Sequence, residues 1–336
     1  RDFFFFFSAL TSGVALSSNA HGAAGAKASD RLGDLLPTRT LGRTGEQIPI
    51  LGVGGWHIGR MSESEAQRSI ETAIEGGVRF FDTASHYQSG GSERRLGKLL
   101  VPEYRDVIFL MTKAHLKDAD SVRQQLDTSL RRLNTDYLDL WQMHEVMSLD
   151  DLNNRIDNGV LDVFREAKES GKVRYIGFTG HKTPATHERI LELTDMFDTC
   201  QMPVNVADPS YGSFINNVMP KLVDHNLGIL AMKTLACGGF FGGTTFGQHG
   251  NRPKVVPDRI SMREAIHFVW SLPVTTLISG PDDAAQIQEK IDLARSFDGM
   301  SEQERYELIE KVADLAGDRT EFYKASGLPV SGWKRY

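Results

Sequence analysis

Between residues 47 and 295 the chain alternates short, continuously apolar runs with longer stretches whose apolar residues recur every three or four positions. A run apolar on both faces fits a strand buried on both sides, and the three-to-four period fits a helix lying on such a sheet. "QIPILGVGG" (47–55) reads as the first strand and "SESEAQRSIETAIEGG" as the first helix. Ser62 and Glu65 stand at capping-box spacing at its start, and Gly76 and Gly77 close it. The alternation continues with strands at VRFFDTA, DVIFLMTKA (106–114), YLDLWQMHE (137–145), RYIGFTGH, TCQMPVNV, GILAMKTLA and TTLISG. Helices read between and after them at SERRLGKLL, ADSVRQQLDTSLRRLN, VLDVFREAKESGK, ATHERILELTD, FINNVMPKLVDHN, MREAIHFVWSL and DAAQIQEKIDLAR. Eight strand–helix units predict a closed α/β structure, the (β/α)8 TIM barrel, as one domain over residues 37–336. The first strand-to-helix turn, GVGGWHIG, lacks the G-x-G-x-x-G spacing of an open dinucleotide-binding sheet. Residues 237–258 are glycine-rich and aperiodic, the one long loop in the pattern.

Composition narrows the classes. A 336-residue chain can bury a large core without disulfide or metal staples, and Cys200 and Cys237 form neither a disulfide framework nor a thiolate metal site by themselves. The net charge of −6 argues against a nucleic-acid binder or a polybasic membrane anchor. The first residues depart from the rest: RDFFFFFSALTSGVAL is apolar behind a basic residue, and the small-residue run SSNAHGAAGAKASD follows. Basic, apolar, then small with Ala-x-Ala sites is the order of an export signal, and "RDFF" fits the second half of a twin-arginine motif. The stretch is too short and too rich in Ser, Thr and Gly for a membrane span. Residues 1–36 are thus expected to be a leader of a periplasmic protein.

In barrels of this kind chemistry gathers where the strands end at their carboxyl side. Strand two ends at Asp82, with Tyr87 just beyond; strand three ends at Thr112 and Lys113, and strand four at Gln142, Met143 and His144. A phenol is too weak an acid near neutrality, but a neighbouring ammonium favours its ionised form, a carboxylate steadies the ammonium, and an imidazole can orient a carbonyl. Asp82, Tyr87, Lys113 and His144 together suit protonation of an alkoxide formed when hydride reaches a carbonyl.

The sequence resembles the aldo-keto reductase family from about residue 38 to at least residue 295, through LGRTGEQIPILGVGGW, GGVRFFDTASHY, GSERRLGKLL, MTKA, SLRRLNTDYLDLWQMH, GKVRYIGFT and TTLISGPDDAAQIQEKID. The resemblance implies an NAD(P)H-dependent oxidoreductase that reduces an aldehyde or ketone, with NADP(H) favoured over NAD(H) and lying extended across the barrel mouth. It makes Asp82, Tyr87, Lys113 and His144 a catalytic tetrad, Tyr87 being the general acid. Cofactor contacts are implied at Gly55, Trp56, Asp82, Thr179, Gly180, His181 and Gln201, then at Met232, Lys233 and Leu235, and for the adenosine end at Gly280, Asp282, Gln286, Glu289 and Lys290. Three departures stand out. Thr179-Gly180 replaces the usual Ser-Asn pair, Met232 a stacking aromatic, and Lys233 a small residue. Asp282 and Asp283 would repel a 2′-phosphate, with Lys290 in partial compensation.

Substrate walls are expected from Trp56, His57, His86 and His115, from residues 145–159 and from the 237–258 loop, and the histidines lean toward a polar, hydroxylated carbonyl or alcohol. No metal is expected. Two rival readings remain: a metal-dependent barrel hydrolase using His57, His86, His115, His144 and His181, and a non-catalytic nucleotide-binding barrel.

Overall fold

The computed structural model describes residues 28–241, 254–255 and 259–330. The export reading of residues 1–27 and most of the 237–258 loop therefore lie outside the described residues. Eight strands carry the fold: β1 (Leu51–Gly54), β2 (Phe80–Asp82), β3 (Phe109–Ala114), β4 (Leu138–Met143), β5 (Val173–Thr179), β6 (Thr199–Pro203), β7 (Gly228–Met232) and β8 (Thr276–Ser279). Each pairs in parallel with the next, and β8 pairs with β1, closing the barrel.

The packed helices include α1 (Glu63–Glu75), α2 (Gly91–Leu99), α3 (Ala119–Leu133), α4 (Leu149–Asp157), α5 (Val160–Glu169), α6 (Pro184–Leu193), α7 (Met219–Asp224), α8 (Met262–Trp270), α9 (Ala284–Arg295) and α10 (Glu302–Val312). Their boundaries follow local chemistry. Ser62 Oγ accepts the Glu65 N–H at 3.2 Å, one half of the expected capping box. The other half is diverted: the Glu65 carboxylate accepts the Ala284 N–H at 2.9 Å and so ties α1 to the start of α9. Asn134 ends α3 in the left-handed conformation that caps helices.

Four segments differ from the periodicity reading. The run 47–55 is split: Gln47–Pro49 pairs antiparallel with Thr38–Thr40, and only Leu51–Gly54 enters the barrel. Pro49 lacks the N–H that a central strand needs, so the break falls beside it. The stretch 214–226 is two helical pieces, with Pro220 in the first turn of α7. Within 145–159, read as loop, Ser148 caps α4 by accepting the Asp151 N–H at 3.1 Å. Residues 28–36, grouped with the leader, are ordered: Ser29–Asp30 pairs with Gly33–Asp34, Asp30 accepts from Arg79 Nε at 2.6 Å, and Leu36 is buried in the core. Residues 28–36 are thus packed against the barrel.

Inside the barrel, strand alternation separates two layers. Phe80, Phe109, Met111, Leu140 and Leu230 form an apolar cluster with Leu41 and Ile48 from the N-terminal hairpin, which stoppers that end. Phe80 stacks on Phe109 at 5.3 Å between centroids, and Phe109 on Tyr175 at 6.3 Å. Two residues further along three of these strands come Asp82, Lys113 and Gln142. A period of two keeps them on the inner face, now at the open end.

Candidate active site

Strand alternation and one tight loop build the site. Lys113 Nζ donates to the Asp82 carboxylate, to the Thr83 carbonyl at 2.8 Å, and to Tyr87 Oη at 3.4 Å. Tyr87 opens a turn in which Gln88, Ser89 and Gly90 all have positive φ, and its N–H donates to the Ala84 carbonyl at 3.1 Å. That compact turn explains how a loop residue returns over the strand end. Ser92 Oγ donates to the Gly55 carbonyl at 2.8 Å, and any Cβ at Gly55 would collide with the Asp82 carbonyl. Gly55 is therefore a packing glycine behind Asp82. His144 continues β4 through its N–H to the Ala114 carbonyl at 2.8 Å, and its ring meets that of Tyr87 edge-on at 5.8 Å.

Burial dominates the electrostatics. Desolvation raises the Asp82 carboxyl above its ordinary value despite Lys113, and lowers Lys113 despite Asp82. Tyr87 is pushed well above a normal phenol, by burial first and by the Asp82 and Glu145 charges after it. The sequence argument, in which Lys113 lowers the phenol, is thus outweighed here. Tyr87 stays a protonated hydroxyl, the form a proton donor needs. Burial, then Lys113, drives His144 well below the usual imidazole range, so it is neutral.

Beside this group lies a cavity of about 210 Å³. Asp82, Tyr87 and Gln201 form its floor, and Met232, Lys233 and Leu235 one wall. Trp56 also lines it, and His57, beside Asp282, lines it together with Gly280, Gln286 and Lys290. Gln201 Oε1 is buried, with no hydrogen-bond partner among the described residues. An orphaned acceptor on a cavity floor matches an amide N–H of a ligand such as nicotinamide.

Other predicted contacts are engaged elsewhere. The Thr179 carbonyl accepts the Val146 N–H, Gly180 packs against the Val146 carbonyl and the His187 ring, and Glu289 pairs with Lys290. His181 turns away: Nδ1 meets the Tyr323 carbonyl at 2.9 Å, and Nε2 the Glu145 carboxylate at 3.2 Å. Thr179, Gly180, His181, Glu289 and Gly55 do not line the cavity. Asp283 caps α9 by accepting the Gln286 N–H at 2.9 Å, and His57 Nε2 lies 3.8 Å from Asp282.

His86 covers the tetrad, its ring 4.7 Å from His115, 4.8 Å from His144 and 5.2 Å from Tyr87. Burial keeps His86 and His115 below the ordinary imidazole value, so both are neutral, and neither lines the cavity described above. His115 Nδ1 lies 3.0 Å from the Gln125 amide and 3.2 Å from Ser85 Oγ.

Sequence reasoning named Glu145 only as the start of a substrate-wall stretch; its carboxyl is held down to about 2, chiefly by His181. Nothing in "MHEV" foretells its φ of 51°. Thr234, Met262 and Ile266 in the cavity wall were missed, and Cys237 was named only as part of the 237–258 loop. The i, i+4 spacing of Met262 and Ile266 marks a buried face without saying what it is buried against.

Residues 50–320 match the Aldo/keto reductase family. The chain is similar to the L-galactose dehydrogenase of Arabidopsis thaliana, 30% identical over 226 residues, covering 60% of this chain and 66% of that protein. It is similar to the L-glyceraldehyde 3-phosphate reductase of Escherichia coli K12, 27% identical over 223 residues, covering 60% and 62%. The matches thus span just under two thirds of these relatives. Among solved structures, the holo form of aldo-keto reductase AKR11C1 from Bacillus halodurans superposes with a TM-score of 0.68 at 21% identity, over 82% of this chain and 96% of that one. An aldo-keto reductase from Klebsiella pneumoniae in complex with NADPH superposes with a TM-score of 0.65 at 20% identity, over 83% and 96%. At such identities these two likenesses establish the fold.

Proposed function

The chain belongs to the aldo/keto reductase family, and from that premise we propose that it interconverts a small polar carbonyl compound and its alcohol with NADP(H), Tyr87 giving or taking the proton. One observation carries the reading: a protonated, half-buried phenol stands 3.4 Å from an ammonium that is itself paired with a buried carboxylate, on the floor of a cavity. When bound, the reduced nicotinamide supplies the hydride.

The rest of the chemistry falls to the chain's own residues. Tyr87 Oη gives its proton to the carbonyl oxygen as charge builds there, and Lys113 offsets the phenolate left behind. Asp82 holds Lys113 in position and keeps the buried ammonium from standing alone. His144, neutral, hydrogen-bonds the carbonyl and orients it. Gln201 Oε1 is the acceptor for the carboxamide of the nucleotide, and Trp56, Met232 and Leu235 flank the ring. Lys290 and Gln286 serve the adenosine end. The preference for NADP(H) is supported by the NADPH bound in the Klebsiella pneumoniae neighbour. His86, His115 and Trp56 present hydrogen-bonding and stacking groups to a hydroxylated substrate.

The test is fluorescence quenching by NADPH and NADH, followed by turnover of a panel of aldehydes. Tyr87→Phe should bind nucleotide as the parent does and lose about 10²- to 10⁴-fold in turnover, the range for a general acid. Silence toward both nucleotides, or a Tyr87→Phe variant of undiminished rate, would overturn the proposal.

A further inference from the structure

The five strand-end histidines do not act as one group. His57 stands with Asp282, His181 with Tyr323 and with one oxygen of Glu145, and His115 with Gln125 and Ser85. The remaining two meet a residue outside that set: one donor atom from each of His86, His144 and Glu145 lies within 4.8 Å of the other two. We propose that these three side chains bind a zinc-class divalent cation on the substrate side of the tetrad.

Two imidazole nitrogens and one carboxylate oxygen, with water as a fourth ligand, are a donor set that zinc accepts. The donors are poised rather than closed. With zinc–ligand bonds of about 2.0–2.2 Å, tetrahedral donors sit about 3.4 Å apart, so the widest pair must draw in by up to about 1.4 Å. His86 and Glu145 are only partly buried and can make that movement, while His144 is fixed at the end of β4.

Two further observations point to a ligand. His86 Nδ1 and His144 Nδ1 are both buried, with no hydrogen-bond partner among the described residues, an unusual state for polar atoms. Consecutive residues of a strand point to opposite faces, yet His144 and Glu145 reach one cluster. The left-handed backbone of Glu145, uncommon for a residue with a side chain, makes that possible. Charge is no obstacle, because Lys113 is already paired with Asp82 and Glu145 brings its own negative charge.

Occupancy takes His144 away from the carbonyl but leaves the Gln201 and Met232 side of the cavity free. Zinc should therefore compete with the carbonyl substrate and leave nucleotide affinity unchanged. Only this competition rests on the reductase reading; the binding itself does not.

The deciding measurement is calorimetric titration of the purified chain with zinc chloride, with cobalt(II) as a visible probe of coordination. The expected result is one zinc per chain and the absorption bands of four-coordinate cobalt, with Glu145→Gln and His86→Ala each weakening zinc at least tenfold while circular dichroism reports a folded protein. Should one variant misfold, the other still decides. No binding by the parent chain, or variants that bind as tightly as the parent, would overturn the site. Nucleotide quenching on the same samples separates that failure from failure of the reductase reading.

Discussion

The two ends of the barrel are built on the same strands, two residues apart, and follow opposite rules. At the stoppered end Phe80, Phe109, Met111 and Leu140 fill the interior with apolar volume and stacked rings. At the open end Asp82, Lys113 and Gln142 point the same way, buried as deeply, as charges and amides. Neither Gln142 Oε1 nor Gln201 Oε1 has a hydrogen-bond partner among the described residues. Burial stabilises the first layer through the hydrophobic effect. In the second it costs solvation, which the Asp82–Lys113 pair offsets only in part, and that cost leaves Tyr87 protonated and His144 neutral. The contrast shows that a single register can serve stability and chemistry without a separate domain for each.

The sharpest way to break this contrast is Lys113→Met, which leaves Asp82 buried without its cation. Stability should fall by about 3–5 kcal/mol, the usual consequence of removing one partner of a buried pair, and carbonyl turnover should fall at least 100-fold. Adding Asp82→Asn should recover part of the stability and none of the turnover, read by urea unfolding beside an aldehyde assay. Recovery of both together would show that the pair is structural only.

At the other end, Phe80→Ala should cost about 3–5 kcal/mol in the same unfolding measurement, through lost burial and a cavity. Nucleotide affinity should change little in the folded variant. A large change in affinity would mean that the two layers are mechanically coupled.

The smallest effect concerns Glu145. Its folded value of about 2 lies below the ordinary carboxylate value, so ionised Glu145 stabilises the fold. That contribution is fully present above about pH 4.5 and is lost as the pH falls toward 2. The stability gap between the parent and Glu145→Gln should therefore narrow between about pH 5 and pH 3. A gap that stays constant over that window would remove the His181 pairing as its source.

Much of this was legible before any coordinates. Continuous apolar runs between amphipathic helices gave the strand count and hence the barrel, and strand ends alone brought Asp82, Lys113 and His144 to one mouth. The hairpin at Thr38–Thr40 and Gln47–Pro49 was less visible, because Ile48 is apolar whether it pairs in the barrel or plugs it.

The sequence by itself therefore determined the barrel and placed four residues at or just beyond its strand ends, because alternation and order along the chain are local properties; the family came from the resemblance of its motifs. Only the tertiary structure decided the rest: that His181 faces Glu145 and the Tyr323 carbonyl, that Asp282 faces His57, and that Tyr87 keeps its proton. These depend on burial and on contacts between segments 36 to 225 residues apart, and no local pattern records which polar groups will share a low-dielectric space.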